Sequence, residues 1–281
     1  MNNGEKGKLW RTFKRNKTAV VGTVVALLVV LFAAVAPLIS PYDPLDQDIA
    51  HRLRSPNRSH LLGTDEYGRD ILSRILWGAR VSLSVGVLSI LLGLVIGTAM
   101  GMFAGYRGGF VDTAIMRMVD VLLSFPMLIT GIMVAAILGS GITKLIITVG
   151  IVFAPRFARL AYGPTLTVKE RDYVSSARVI GASHSRIILR YLLPNIFGEV
   201  LVAATLWVGT AIVTEASLSF LGLGVSPPAP TWGNMIKSGI DRLSNAPWLC
   251  LFPGLAILIT VFSFNMIGDG LRDITDPKLR M

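Results

Sequence analysis

Long stretches without a charged residue constrain this chain more than any other feature of its sequence. No Asp, Glu, Lys or Arg occurs over residues 18–42, 81–106 or 243–268. About 20 mainly apolar residues are enough for a helix to cross the hydrocarbon core of a bilayer. Charged residues make up only 16% of the chain, whereas about 25% is typical of a soluble domain. The sequence therefore predicts an integral membrane protein.

Six membrane-spanning helices are predicted, so we expect an all-α protein with one membrane domain. The predicted spans are residues 18–39, 81–104, 114–138, a short fourth span around 145–155, 197–220 and 248–268. The uncharged core of the fourth span is too short unless Arg156 and Arg159 extend to the inner interface. The corresponding division is a cytoplasmic segment 1–17, a transmembrane domain 18–268 with an outer loop 40–79 and an inner loop 163–195, and a cytoplasmic tail 269–281.

The distribution of Lys and Arg predicts that both termini face the cytoplasm. Residues 1–17 and 156–190 are rich in Lys and Arg, and six spans place both segments on the side of the C-terminus. With that side inside, the inner segments hold roughly twice as many Lys and Arg as the outer ones, as the positive-inside rule requires. Membrane orientation therefore accounts for the net charge of +10, and we do not expect nucleic-acid binding.

The outer loop contains one segment with a helical pattern. In "LLGTDEYGRDILSRILWGARVSL", an apolar face repeats at helical spacing, and Thr64 or Asp65 is suited to cap the helix. The residues of that face are Ile71, Leu72, Ile75 and Leu76. We expect a helix lying on the membrane surface, in preference to a ligand site.

Several kinds of catalytic site are absent from the sequence. The chain has no G-x-x-x-x-G-K-[ST] phosphate loop and no H-E-x-x-H motif, and its single Cys250 rules out an intrachain disulfide and a multi-cysteine metal site. All three histidines lie outside the predicted spans, so no histidine base is available to an intramembrane serine nucleophile. We therefore expect no enzyme activity and no cofactor or metal in this chain.

Three ionisable residues within the spans are candidates for a pathway or gate, since burial in lipid makes such residues costly. Arg117 and Asp120 are three residues apart, and we expect them to form a structural ion pair near the inner interface. Glu215 lies near the outer end of the fifth span. It could line a polar cavity, bond to a neighbouring helix, or reach the outer interface.

A glycine face is predicted on the second span. Gly93, Gly97, Gly101 and Gly105 recur every four residues. Small residues at this spacing allow two membrane helices to approach closely. We therefore expect helix packing as the role of these glycines.

Between the fourth and fifth apolar stretches lies "RDYVSSARVIGASHSRIILRYLLP", a segment too basic to enter lipid. Its pattern predicts two short helices on the inner face, joined by a turn at Gly181. Ser183 is placed to cap the second helix and Pro194 to end it. Such a compact structure exceeds what a connecting loop needs, so a protein partner is the better explanation.

This segment resembles the "EAA" loop of permease subunits of bacterial ABC importers, E-A-A, three residues, Gly, nine residues, I-x-L-P. Ser175, Ser176 and Ala177 fill the E-A-A positions, Gly181 follows after three residues, and Ala182 and Ser183 come next. Tyr191, Leu193 and Pro194 complete the pattern. Glu, the first Ala and Ile are thus replaced by Ser175, Ser176 and Tyr191.

The resemblance extends over nearly the whole chain, to the C-type permease of the dipeptide, oligopeptide and nickel importers. The stretches "DVLLSFPML", "EASLSFLGLGVSPPAPTWGNMI" and "NMIGDGLRDITDPKLR" carry it, together with the outer-loop segment quoted above. It implies a type I ABC importer permease fold in the bacterial cytoplasmic membrane. It also implies a homologous second permease subunit, two ATPase subunits that hold ATP and Mg, and an extracytoplasmic substrate-binding protein.

The same resemblance implies that the EAA loop is the coupling helix, seated in a groove of the ATPase. The expected solute is a di- or oligopeptide, and nickel or another small solute is the alternative. A protein of another class, a secondary transporter or channel, would be expected to show an intramembrane charge cluster or paired broken helices. Neither of these features is clear in the sequence.

Overall fold

The computed structural model describes residues 16–275, and these residues fold into helices without a named β-strand. Residues 1–15 of the predicted cytoplasmic segment and residues 276–281 of the predicted tail lie outside the described residues. The ten α-helices are α1 Lys17–Ile39, α2 Ile71–Arg107, α3 Gly109–Ser124, α4 Met127–Leu138, α5 Ile142–Lys169, α6 Asp172–Val179, α7 His184–Ile187, α8 Leu193–Phe220, α9 Trp232–Gly239 and α10 Trp248–Thr275. Short 3₁₀ turns lie at Ile49–His51 and Ile240–Arg242, and a π-helical turn at Ile188–Leu192 joins α7 to α8.

Five helices are long and apolar enough to cross a membrane, and a sixth crossing results if one bent pair is counted as a single span. The five are α1, α2, α5, α10 and the continuous helix His184–Phe220. The bent pair is α3 and α4, whose axes differ by 101°. The predicted all-helical fold is confirmed, and the predicted number of six spans is reached when the bent pair is counted as one.

The third predicted span, 114–138, is wrong as one straight helix. Phe125 and Pro126 have extended backbone between α3 and α4. Proline lacks an amide hydrogen and disfavours helical backbone in the residue before it, so the helix ends at Ser124.

The surface helix predicted for the outer loop is also wrong, because these residues form the first turns of α2. The Asp70 carboxylate accepts a hydrogen bond from the backbone N–H of Ser73 at 2.8 Å and so caps the helix at Ile71. Ile71 is buried with Met235 and Leu249. The apolar face of this segment therefore packs on protein, and α2 extends well beyond the predicted span 81–104.

The helix α2 packs most extensively on α5, at the centre of the fold. A Cβ atom added to Gly97 or Gly101 would overlap the carbonyl oxygens of Ala154 and Ala158 on α5, so the predicted glycine face is confirmed as a packing surface. The fourth span is longer than its uncharged core suggested, since α5 continues to Lys169. The core around this pair is apolar and tightly packed.

Candidate coupling segment and charged residues of the spans

Residues 172–194, here called the inner segment, contain two short helices joined by a tight turn. α6 ends at Val179, and Gly181 has the positive φ of 83° that reverses the chain. The Ser183 hydroxyl accepts a hydrogen bond from the backbone N–H of Arg186 at 3.4 Å and caps α7. The predicted turn at Gly181 and the predicted cap at Ser183 are confirmed.

Pro194 does not end the second helix, contrary to the prediction. It lies in the first turn of α8, and the helix runs without interruption from His184 to Phe220. A π-helical turn, Ile188–Leu192, precedes it. In a regular α-helix the ring of Pro194 would collide with a carbonyl of the preceding turn. The wider π turn shifts that carbonyl, so Pro194 fits within the continuous helix.

One face of the inner segment is anchored on the membrane helices. Val174, Ile187 and Leu192 are buried and cluster with Tyr106 near the inner end of α2. Ala177, one turn after Val174, is buried as well. These contacts fix both short helices against the end of α2, so the segment is a built surface and not a loose connection.

The opposite face of the inner segment is exposed. At its tip, Val179 and Ile180 are 87% and 81% exposed, next to Gly181. Exposed residues of the EAA pattern are Ser175, Ser176, Gly181, Ser183 and Pro194, whereas Ala182 and Leu193 are half-buried. The tip of the segment thus leaves two adjacent apolar side chains open.

Polar contacts also attach the inner segment to α2. The Tyr106 hydroxyl and the His184 Nδ1 atom lie 2.8 Å apart. The guanidinium of Arg178 lies 5.4 Å from the centre of the Tyr106 ring. Lys169, at the end of α5, donates a hydrogen bond to the carbonyl oxygen of Gly105 at 2.8 Å. The contact between Tyr106 and His184 was not predicted from the sequence, because the two residues are far apart in the chain.

Glu215 is fully buried and bonded to a neighbouring helix. Its carboxylate accepts hydrogen bonds from the Ser82 hydroxyl on α2 at 2.9 Å and from the Ser219 hydroxyl on α8 at 2.7 Å. Its side chain is 0% exposed. Of the three environments considered for Glu215, the structure therefore has the bond to a neighbouring helix, and it links α2 to α8.

Arg117 and Asp120 do not pair, contrary to the prediction. Asp120 forms its ion pair with Arg159 on α5, and both partners are about half exposed. Arg117 is exposed and forms no ion pair with another described residue. A second polar contact joins the same helices, since the Tyr162 hydroxyl on α5 donates to Asp112 on α3 at 2.8 Å.

The outer loop is held by a buried charge network that the sequence analysis missed. The Arg69 Nε atom lies 2.6 Å from the carboxylate of Asp65, and Arg74 lies 3.5 Å from the same group. Arg74 also donates to the carbonyl oxygen of Pro44 at 2.8 Å. Opposite charges four residues apart in "DEYGR" were the available signal.

Within residues 16–275, no three His, Cys, Asp or Glu side chains are placed to hold a metal ion.

Comparison with known proteins decides the family. The family described as "Binding-protein-dependent transport system inner membrane component" matches residues 97–281, more than half of the chain. The chain belongs to this family. A second match, to the "N-terminal TM domain of oligopeptide transport permease C", covers residues 7–56. All residues of the inner segment fall within the first match, and the outer-loop residues 40–56 fall within the second.

Named relatives of this transport component cover nearly the whole chain. It is 44% identical over 274 residues to a glutathione transport system permease protein of Pectobacterium atrosepticum, an alignment that covers 97% of this chain and 91% of the relative. It is 40% identical over 271 residues to a dipeptide transport system permease protein of Alkalihalophilus pseudofirmus, covering 96% and 89%. The resemblance to importer permeases of the peptide subfamily is thereby confirmed.

The fold of this permease is also found in a solved structure. A chain of the MetNI methionine ABC transporter, described as inward facing, superposes with a TM-score of 0.59 at 19% identity, covering 72% of this chain and 97% of that one. The likeness supports the importer permease fold. The family is a transport component and not an enzyme, so the chain is a multi-pass membrane subunit of an ABC importer.

Proposed function

We propose that this permease forms half of the translocation pathway for di- or oligopeptides and that its inner segment is the contact through which partner ATPases drive transport. The relatives named for dipeptide and glutathione transport, at 40% and 44% identity, support the solute. Nickel or another small solute is the alternative. Membership of a binding-protein-dependent family removes the reason to prefer a secondary transporter or channel.

The structure of the inner segment carries the ATPase part of the proposal. One face is buried against Tyr106 through Val174 and Ile187, and the other exposes Val179 and Ile180 at the tip. A segment fixed on one side, with two adjacent apolar side chains exposed at its tip, suits a rigid contact that transmits force. The exposed EAA residues Ser175, Ser176, Gly181, Ser183 and Pro194 belong to this contact. The half-buried Ala182 and Leu193 border it, and the buried Ala177 packs on the anchored side of the segment.

Motion of the inner segment reaches the spans through three connections. α6 follows α5 after a short turn, α7 continues into α8 as one helix, and Tyr106 links the segment to α2. Binding of ATP closes the ATPases and displaces the segment, so α2, α5 and α8 must respond. The free energy enters as the difference in ATP affinity between the inward-open and outward-open states.

The remaining partners and the orientation follow from the same proposal. The Lys and Arg bias places the inner segment and both termini in the cytoplasm of a bacterium, with residues 40–79 outside. A homologous permease supplies the second half of the pathway. Two ATPases hold ATP and Mg inside, and a binding protein delivers the solute from outside.

The proposal is tested by reconstituting the complete importer in proteoliposomes. The assembly contains this permease, its partner permease, the ATPases and the cognate binding protein. We expect uptake of a radiolabelled dipeptide that requires both ATP and the binding protein. Uptake of Ni²⁺ without uptake of peptides would assign the alternative solute, and uptake that persists without the ATPases would contradict the importer itself.

A further inference from the structure

The ion pair between Asp120 and Arg159 joins two helices that belong to candidate membrane spans, α3 and α5. Asp120 lies about 16 Å along α3 from its start at Gly109, at 1.5 Å per residue. Arg159 lies about 25 Å along α5 from Ile142. Both helices belong to candidate membrane spans, α5 by itself and α3 as part of the bent pair, and neither residue lies at the end of its helix.

Both members of the pair are open to the surroundings of the chain. The side chains of Asp120 and Arg159 are 44% and 47% exposed. Arg117, three residues before Asp120 and on the same face of α3, is exposed too. A charged side chain facing lipid is costly, and although a long arginine can extend to the interface, a short aspartate cannot. This face of α3 and α5 is therefore not a lipid-facing surface.

The exposed face of α1 shows what a lipid-facing surface of this protein looks like. Val24, Leu27 and Leu31 are 51%, 62% and 52% exposed. Their distances along α1 from its start at Lys17 are comparable with the distance of Asp120 along α3 from Gly109. No charged residue occurs on α1 after Lys17. The chain thus has one apolar surface and one charged surface at similar depth.

We propose that Asp120, Arg159 and Arg117 line the inner half of the water-filled pathway and that their excess of positive charge attracts the carboxylate of the passing solute. This inference rests on the proposed function, which makes the solute a peptide. A guanidinium attracts a carboxylate by its charge and by charge-assisted hydrogen bonds. Arg156, one turn before Arg159, adds a further guanidinium on α5 and lies 5.7 Å from the centre of the Phe153 ring.

The half-exposed pair suits transient binding. Arg159 already bonds a carboxylate, that of Asp120, in a place that water reaches, so a solute carboxylate can exchange with it. The exposed guanidinium of Arg117 offers a neighbouring position. Because both sites are solvated, binding is weak enough for the solute to leave toward the cytoplasm, as conduction through a pathway requires.

Accessibility tests the position of this face without reference to any solute. Arg117→Cys and, as a depth-matched control, Leu27→Cys are made in a Cys250→Ser background. The assembled complex in inside-out vesicles is treated with a negatively charged, membrane-impermeant methanethiosulfonate. We expect rapid modification of Arg117→Cys and none of Leu27→Cys. Protection of Arg117→Cys to the level of Leu27→Cys would overturn the inference, whether lipid or the partner permease covers the position.

Uptake tests the attraction for the carboxylate. Uptake of a dipeptide and of its C-terminal amide is measured for wild type, Arg117→Gln and Arg117→Lys. The uptake by each variant is divided by wild-type uptake of the same solute, so that the selectivity of the binding protein cancels. We expect Arg117→Gln to lower dipeptide uptake about tenfold, the equivalent of roughly 1.4 kcal/mol. Arg117→Lys should keep most of the uptake, and the amide should be nearly unaffected. Equal uptake of the free acid by Arg117→Gln and Arg117→Lys would show that the positive charge at residue 117 is not needed.

The outcomes separate this inference from the proposed function. Equal uptake by wild type and Arg117→Gln, or equal losses for the acid and the amide, would overturn the carboxylate role while peptide import stands. Failure of the wild-type complex to import any peptide would contradict the proposed solute, and the accessibility result would still report on the pathway.

Discussion

The Tyr106 hydroxyl on α2 and the imidazole Nδ1 atom of His184 on α7 are joined by a hydrogen bond of 2.8 Å. Residues 106 and 184 are separated by the whole of α3 to α6, so the bond closes a long loop of chain. It is one of the few polar contacts between the inner segment and the spans. The same ring lies beneath the guanidinium of Arg178.

Loss of this hydrogen bond should weaken coupling without preventing assembly. Tyr106→Phe keeps the ring packed with Val174 and Leu192 and removes only the hydroxyl. A single part-buried hydrogen bond contributes about 1 kcal/mol, so the subunit should fold. We expect more ATP hydrolysed per peptide imported, measured in proteoliposomes. Tyr67→Phe, which removes the hydroxyl of an exposed tyrosine outside the inner segment, is the control and should behave as wild type. An unchanged coupling ratio in Tyr106→Phe would contradict the role of this contact.

The hydrogen bonds of Glu215 should matter for transport more than for assembly. In Glu215→Gln, one end of the amide is a donor, so the side chain no longer accepts from Ser82 and Ser219 together as the carboxylate does. We expect a looser contact between α2 and α8, normal recovery of the complex and lower peptide uptake. Ser82→Ala should cause a smaller loss of uptake, and Ser217→Ala, whose hydroxyl bonds only within α8, none. Normal uptake by Glu215→Gln would leave Glu215 as a tolerated buried residue.

Local signals in the sequence were reliable, whereas contacts between distant residues were not accessible. Gly181 and Ser183 specify a turn and a cap through their own backbone and side chain, and both were predicted. Asp120 was assigned the wrong partner because spacing along one helix says nothing about Arg159 on another helix. The break at Pro126 was not predicted, because the apolar residues around it are enough for one continuous span. The chemistry of proline alone explains the break between α3 and α4.

Cysteine labelling in intact cells should show which loops face outward. In a Cys250→Ser background, single cysteines at Asn57, Ser226 and Ser183 all occupy exposed positions. We expect an impermeant thiol reagent to label the first two from outside, and the third only after the inner face is opened. The bias of Lys and Arg is the physical reason. Labelling at Ser183 in sealed cells would reverse the orientation.

Gly181 should tolerate substitution only by residues that accept its backbone conformation. Its φ is 83°, and within residues 16–275 a Cβ atom built there meets no atom within 4 Å beyond its chain neighbours. The cost of a side chain therefore comes from the backbone, or from a partner, and not from packing between α6 and α7. A positive φ is a genuine outlier for a β-branched residue, whereas asparagine adopts it readily.

We therefore expect Gly181→Val to insert in the membrane and pair with the partner permease but to lose ATPase. The distorted turn would misplace Val179 and Ile180, the exposed residues proposed to meet the ATPase. Purification through a tag on this subunit, with quantification of co-purified ATPase and of peptide-stimulated ATP hydrolysis, measures the effect. Gly181→Asn is the matched control and should retain more ATPase than Gly181→Val, since it keeps the backbone conformation. Full ATPase recovery and wild-type uptake in Gly181→Val would show that the turn is only a connection and that the inner segment does not dock through it.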